Sequence, residues 1–264
     1  MVLDDIFERF ARQSPVTVMA RAAREHALSP QAIDALFEQT AQRQYTRTLL
    51  FSSVVDLMGT VVARIHPAVN SAYRAKAEAL GVSLRAVYDK LERLGPGLSA
   101  ELVRHTARTL DPVVTAMGGE RAAWLPGYRV KILDGNHLAG TEHRLKELRT
   151  IGAGALPGHA LVVLDPQAML VTDVFPCEDG HAQERSLLDQ VLETIRAGEV
   201  WIADRNFCTT GFLFGIARRG GSFVIRQHQA TLHIELVGVR RSCGRTETGM
   251  VFEQEVRLSH GDGE

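Results

Sequence analysis

Asp134 and Asp204 are the two residues of this sequence whose setting points to chemistry. Each ends a short apolar run, "RVKILD" in one case and "VWIAD" in the other, and Asp204 is followed at once by Arg205 and Asn206. A bare carboxylate at a strand's end is a natural ligand for a hard cation. Two of them side by side resist joint ionisation unless a cation lies between them. Mg²⁺ takes oxygen ligands and needs only one or two protein carboxylates when substrate phosphates complete its shell. Two such ions, about 3.5–4 Å apart, activate a nucleophile and stabilise the leaving oxygen in phosphodiester chemistry. Each aspartate also has a plain structural alternative. "LDGN" reads as an Asp-Gly hairpin turn between apolar runs. Asp204 could cap the helix that begins near Thr209, although it lies several residues early for that role.

The order of elements around them favours a pair. "RVKILDGNHL", "HALVVLDP" and "AMLVTDVFP" are short runs bounded by Gly, Pro and Asp, and read as strands. "AQERSLLDQVLETIRAG" reads as a helix, with Leu187, Leu188, Val191, Leu192 and Ile195 on one face and Gly198 ending it. "EVWIAD" is a strand, "TTGFLFGIARRG" a helix and "SFVIRQH" a strand. Three strands in a meander followed by helical crossovers make a mixed sheet with helices packed on it. In that order the fourth strand can return through a right-handed crossover to lie parallel beside the first. The two aspartates, seventy residues apart in sequence, would then be neighbours. Two further strand-like runs, "TLHIELVGVR" and "MVFEQEVRLS", close the chain.

The first 120 residues have the helical period instead. "LSPQAIDALFEQT" opens with Ser29 as N-cap and Pro30 at the first helical position. "TRTLLFSSVVDLMGTVVARIH" sets Leu50, Val54, Leu57, Met58, Val61 and Ile65 at steps of three and four. "SAYRAKAEAL" and "SLRAVYDKLERL" are joined by Gly81 and Val82, with Ser83 as cap, and "SAELVRHTARTL" follows the "GPG" break. Helix, Gly-containing turn and capped second helix, over residues 72–94, make the layout of a helix-turn-helix. Its second helix would expose Arg85, Lys90 and Arg93. From Arg74 to Arg108 seven Lys and Arg face four acids, a surplus of 7 − 4 = 3. An ordinary helical hairpin with solvated charges accounts for the same pattern.

The bulk numbers set limits. A chain of 264 residues, 45% hydrophobic and 23% charged, has the balance of a soluble globular protein with ample core. Its net charge of −1 neither requires nor forbids a polyanionic partner. Cys177, Cys208 and Cys243 are far apart and without paired His, which argues against a disulfide framework or a structural zinc and suits a reducing cytosol. The acidic N-terminus is unlike a signal peptide. The most apolar stretch, 49–65, carries Ser52, Ser53, Asp56 and Arg64 and reads as a buried helix, so no membrane partner is expected.

"ILDGNHLAGTEHRLKELR" and "VWIADRNFCTTGFLFGIARRGGSFVIRQH" resemble the first two acidic motifs of DDE transposases of the insertion-sequence-four (IS-four) family. "LFEQTAQRQYTRTLLFSSVVDLM" and "SLRAVYDKLERL" resemble that family's helical front end. The resemblance runs from about residue 36 to 228. It implies an α+β chain in three parts. Residues 1–122 would be a helical domain for DNA binding or dimerisation, 123–228 a ribonuclease H-like mixed core, and 229–264 the start of a β-rich insertion. It further implies that Asp134 and Asp204 are catalytic metal-binding acids for two Mg²⁺ or Mn²⁺ ions, and that Arg205 and Arg226 lie near the DNA. The partners implied are double-stranded DNA, as element ends and target, and a second copy of the chain; the place implied is the bacterial cytosol and nucleoid. His137, Arg144, Lys146 and Arg149 could line a phosphate path, but their spacing with Glu142 and Glu147 suits a charged helix surface equally well.

The family's third acid is a glutamate in a motif of Tyr, Arg, Glu and Lys beyond the second aspartate. All four tyrosines here, Tyr45, Tyr73, Tyr88 and Tyr128, precede Asp204. The expectation is a C-terminally truncated transposase, inactive or nearly so alone, or a remnant that binds DNA or subunits without cutting. A third reading is a ribonuclease H-like nuclease that uses a substitute acid from the tail, with Glu253 and Glu255 the residues to mutate.

Overall fold

Two apolar clusters, one built on helical spacing and one on strand alternation, organise the chain. The computed structural model describes residues 12–41, 48–137, 159–177, 183–227 and 232–259. Among the described residues six helices come first: α1 (Pro15–Ala27), α2 (Pro30–Thr40), α3 (Phe51–Val62), α4 (Val69–Leu80), α5 (Leu84–Glu92) and α6 (Pro96–Ala116). Ile33, Phe37, Phe51, Val54, Leu57, Ala72, Val87 and Leu98 meet in the core shared by α2 to α6. Each of the larger side chains so buried contributes about 1.5–3 kcal/mol.

The helix–turn–helix layout is present as α4 and α5. Gly81 takes the left-handed conformation (φ +61°) that ends α4, where a side chain would be strained. Ser83 then caps α5, its hydroxyl accepting from the Ala86 N–H at 3.2 Å. Three expectations are corrected here. Helix α3 stops at Val62, Arg64 turns to φ +58°, and Ile65 is 68% exposed instead of continuing the apolar face. Ser29 flanks α2 but gives no side-chain cap. Helix α6 starts at Pro96, inside the supposed "GPG" break, because a proline at the first helical position loses no hydrogen bond.

The second half forms a five-stranded mixed sheet of β1 (Arg129–His137), β2 (His159–Asp165), β3 (Leu170–Cys177), β4 (Glu199–Ala203) and β5 (Ser222–Ile225), in the order β3-β2-β1-β4-β5. β1, β2 and β3 form the antiparallel meander, and β4 and β5 run parallel to β1. The crossover from β3 to β4 is shorter than its sequence suggests. A 3₁₀ turn, Glu184–Leu187, leads into α7 (Leu188–Thr194), which ends at an extended Ile195 buried in the core. Gly198 (φ +81°) belongs to the following turn and does not cap the helix. From β4 a second 3₁₀ turn, Arg205–Phe207, leads to α8 (Thr210–Arg218), capped by Thr209.

One face of the sheet is thickly covered. Leu133, Leu161, Val163, Phe175 and Trp201 pack there against Leu188, Val191, Phe212 and Ile216 of α7 and α8. Helix α6 lies against β3 on that face, where Arg104 Nε donates to Asp173 Oδ1 at 2.7 Å. This contact joins the helical half to the sheet. On the opposite face Ile132, Val162 and Ile202 are half-buried and Val224 is 56% exposed. The two terminal runs pair as a ribbon of their own, β6 (His233–Thr246) and β7 (Gly249–Ser259). No described helix is long and apolar enough to cross a membrane.

Candidate active site

Strand alternation decides where the acids point. Leu133 enters the helix-covered core, so Asp134 emerges on the other face, beyond Ile132. β1 and β4 are parallel with Leu133 beside Ala203, and β4 and β5 are parallel with Ala203 beside Ile225. One step on, Asp134, Asp204 and Arg226 leave three adjacent strands at one level. Neighbouring strands are about 4.8 Å apart, and Asp134 and Asp204 follow directly on paired positions of adjacent strands. All three residues are exposed. The Asp134–Gly135 pair lies inside β1, where it pairs with β2, so it is not a hairpin turn.

Asp204 does cap a helix, though not the one expected. Its Oδ1 accepts from the Asn206 N–H at 2.7 Å and opens the 3₁₀ turn of 205–207. The cap is local and uses one oxygen. Asp134 Oδ1 likewise accepts from the Gly135 N–H at 2.9 Å. Among the described residues the second oxygen of each carboxylate takes no protein hydrogen bond. Exposed carboxylate oxygens from two neighbouring strands, with no buried cation of the protein's own between them, fit a hard divalent ion. No group of three His, Cys, Asp or Glu positioned for a metal occurs among the described residues.

The supporting shell was missed by sequence reasoning. Glu184, in the turn after β3, accepts from Asn206 Nδ2 at 2.8 Å, and the neighbouring Arg185 Nε donates to the Asn206 carbonyl at 2.6 Å. The Glu184 carboxylate also lies over Gly135. A Cβ there would sit 2.6 Å from its Cδ and 3.0 Å from its Oε2, so any larger residue beside Asp134 would push the Glu184 carboxylate aside. "AQERSLL" gives no hint of this, because a glutamate in a first helical turn is ordinary.

The basic residues divide. Arg205 and Arg226 are exposed next to the acids. Arg85 and Arg93 are exposed on and just after α5, Arg85 with Asp89 at 3.9 Å. Lys90 is corrected: it is half-buried, with Nζ 4.1 Å from the centre of the Phe37 ring. Burial lowers its pKa below the ordinary lysine value, against a pull from Asp34. Glu253 and Glu255 stand on β7 of the separate ribbon, in register with Arg241 and Val237, and do not enter the five-stranded sheet. Arg144, Lys146, Arg149 and the His137 side chain lie outside the described residues.

Comparison with known proteins agrees with this geometry in outline. Residues 125–251, which contain both aspartates and every strand of the sheet, match the family described as Transposase DDE domain. That part of the chain is similar to a transposase catalytic domain, and the mixed sheet is consistent with a ribonuclease H-like one. No curated protein matches the chain.

Proposed function

We propose that this protein is a DNA transposase of an insertion sequence, of the IS-four type, in which Asp134 and Asp204 hold divalent metal at the scissile phosphate. The observation that carries the reading is the register: two exposed carboxylates on adjacent parallel strands, inside the segment that matches transposase DDE domains. Bound Mg²⁺ or Mn²⁺ would supply a Lewis acid for phosphodiester hydrolysis and strand transfer. The chain's own residues would do the rest. Asp134 and Asp204 present oxygens at one level of the sheet. Arg226, next in the row, and Arg205, in the adjoining turn, offer planar forks that can grip phosphate oxygens in pairs. The exposed Arg85 and Arg93 of the helix–turn–helix would contact backbone phosphates of the element ends.

Two carboxylates alone hold a cation weakly, and positioning errors of about 1 Å already cost catalysis heavily. The chain by itself is therefore expected to bind metal weakly and nick DNA only slightly. A dimer would be required to bring two DNA ends together.

Mn²⁺ binding, followed by the loss of the free-ion electron spin resonance signal, tests the site. Asp134→Asn and Asp204→Asn should each abolish binding by the purified chain. Unchanged binding in Asp204→Asn would remove the basis for the reading. Robust Mg²⁺-dependent nicking of DNA by the 264-residue chain, abolished by Asp204→Ala, would overturn the expected weakness. A second reading, a DNA-binding or dimerising protein without chemistry, draws on the exposed arginines of α5. It predicts DNA binding that survives Asp134→Ala.

A further inference from the structure

We infer that Glu184 is a positioning residue that, with Arg185, locks the Asp204 turn against the Asp134 strand and thereby sets the separation of the two acids. The inference rests on the reading of that pair as a metal site. The 3₁₀ turn of 184–187 touches both acid-bearing segments at once. Toward β1, the Glu184 carboxylate occupies the space that the missing side chain of Gly135 leaves. Toward β4, its Oε2 receives Asn206 Nδ2 at 2.8 Å, while Arg185 Nε binds the Asn206 carbonyl at 2.6 Å. Asn206 is in turn the residue whose N–H holds the Asp204 carboxylate, at 2.7 Å. A continuous path thus runs from Gly135 through Glu184 and Asn206 to Asp204.

The side of the sheet decides between positioning and ligation. Gly135 has the parity of Leu133, so the carboxylate that lies over it approaches from the helix-covered face, behind the strand from Asp134. Glu184 accordingly forms no three-acid group with the aspartates. Partners at one remove from a metal typically change its affinity by about 10–100-fold when removed, because they fix the ligands' orientation.

The experiment uses the ¹⁵N-labelled full chain and Mn²⁺ as probe, with paramagnetic broadening of the Gly135 and Arg205 amides as the reading. Glu184→Ala and Asn206→Ala should require about tenfold more Mn²⁺ for the same broadening. Glu184→Gln should stay within about twofold of the parent, since its amide oxygen still accepts from Asn206. Glu184→Ala matching the parent would overturn the inference. So would Glu184→Gln as weak as Glu184→Ala, which would make the charge, and not the hydrogen bond, the working part. Hydrogen exchange at the Phe207 amide, bonded to the Asp204 carbonyl at 3.2 Å, reads the lock without metal. It should quicken in Glu184→Ala and Asn206→Ala but not in Glu184→Gln, and no change in either alanine variant would overturn the lock. If Asp204→Asn broadens like the parent while exchange behaves as expected, the metal reading fails and the lock stands as structure alone.

Discussion

The two ends of β1 carry charged residues of opposite character. At the start of the strand Asp165, completely buried, receives Arg129 Nε at 2.6 Å, Lys131 Nζ at 3.1 Å and the N–H groups of Gln167 and Ala168 at 3.0 Å. Arg129 also binds Asp111 at 3.0 Å. Close by, the buried Glu199 accepts from Trp201 Nε1 and the Arg196 N–H. At the far end Asp134 and Asp204 are exposed, and each uses one oxygen on a local backbone N–H. Buried charge must be satisfied within the protein or it costs several kcal/mol. Carboxylates left open at the surface have capacity for a partner from outside. Satisfaction, more than charge, separates the structural acids from the candidate functional ones.

A cleft of about 600 Å³ lies at the satisfied end, between α6 and the sheet, lined by Arg104, Arg108, Arg129, Lys131, Asp173 and Glu193 among others. Its size does not make it the site, because much of its charge is already paired. Asp173, for example, holds Arg104, although burial still pushes its carboxyl above the usual range.

The contrast can be broken most directly by stability measurements. Asp165→Asn should cost about 3–5 kcal/mol in urea denaturation, because it strands the buried Lys131 and leaves Arg129 with Asp111 alone. Asp134→Asn and Asp204→Asn should stay within about 0.5 kcal/mol of the parent. Equal losses at both ends would erase the distinction.

A pH series sharpens it. Burial works to raise the Asp165 pKa, but the Ala168 N–H, Arg129 and Lys131 outweigh it and hold the carboxyl below its ordinary value. A depressed folded-state pKa contributes stability that is complete above the ordinary aspartate value of about 3.9 and is lost as pH falls through the lower folded one. Asp165→Asn should therefore flatten the acid limb of the stability curve. A limb as steep as the parent's would assign that loss to other carboxylates.

Smaller effects are expected away from the strand ends. Arg85→Ala and Arg226→Ala should each weaken DNA binding across sequences and reduce the salt slope by about 1, as loss of one phosphate contact does. An unaltered slope in Arg85→Ala would dismiss α5 as a DNA-contacting helix. Least of all, Lys90→Ala should cost about 0.5–1 kcal/mol through its lost contact with Phe37 and leave the salt slope alone. A changed slope would return Lys90 to the DNA surface.

Local sequence determined much of this protein. Apolar alternation ending at Asp134 and Asp204, with a meander before the crossovers, was enough to anticipate β1 beside β4, because parallel strands joined by a helix have one favoured hand. Gly81 and Ser83 marked the α4–α5 turn through backbone conformation and capping, which are local properties. Helix ends were less legible: Ile65 and Gly198 both continued a favourable pattern that the chain abandons. Lys90 looked solvated until Phe37, from another helix, was brought beneath it. Tertiary structure alone decided that Glu184 meets Gly135 and Asn206, residues 49 and 22 positions away with no shared pattern to link them. It also decided that Asp165 would be buried and neutralised while Asp204, at the end of another strand of the same sheet, would stay open. Periodicity reports which way a side chain leaves its own element. What waits for it there depends on elements folded in from elsewhere in the chain.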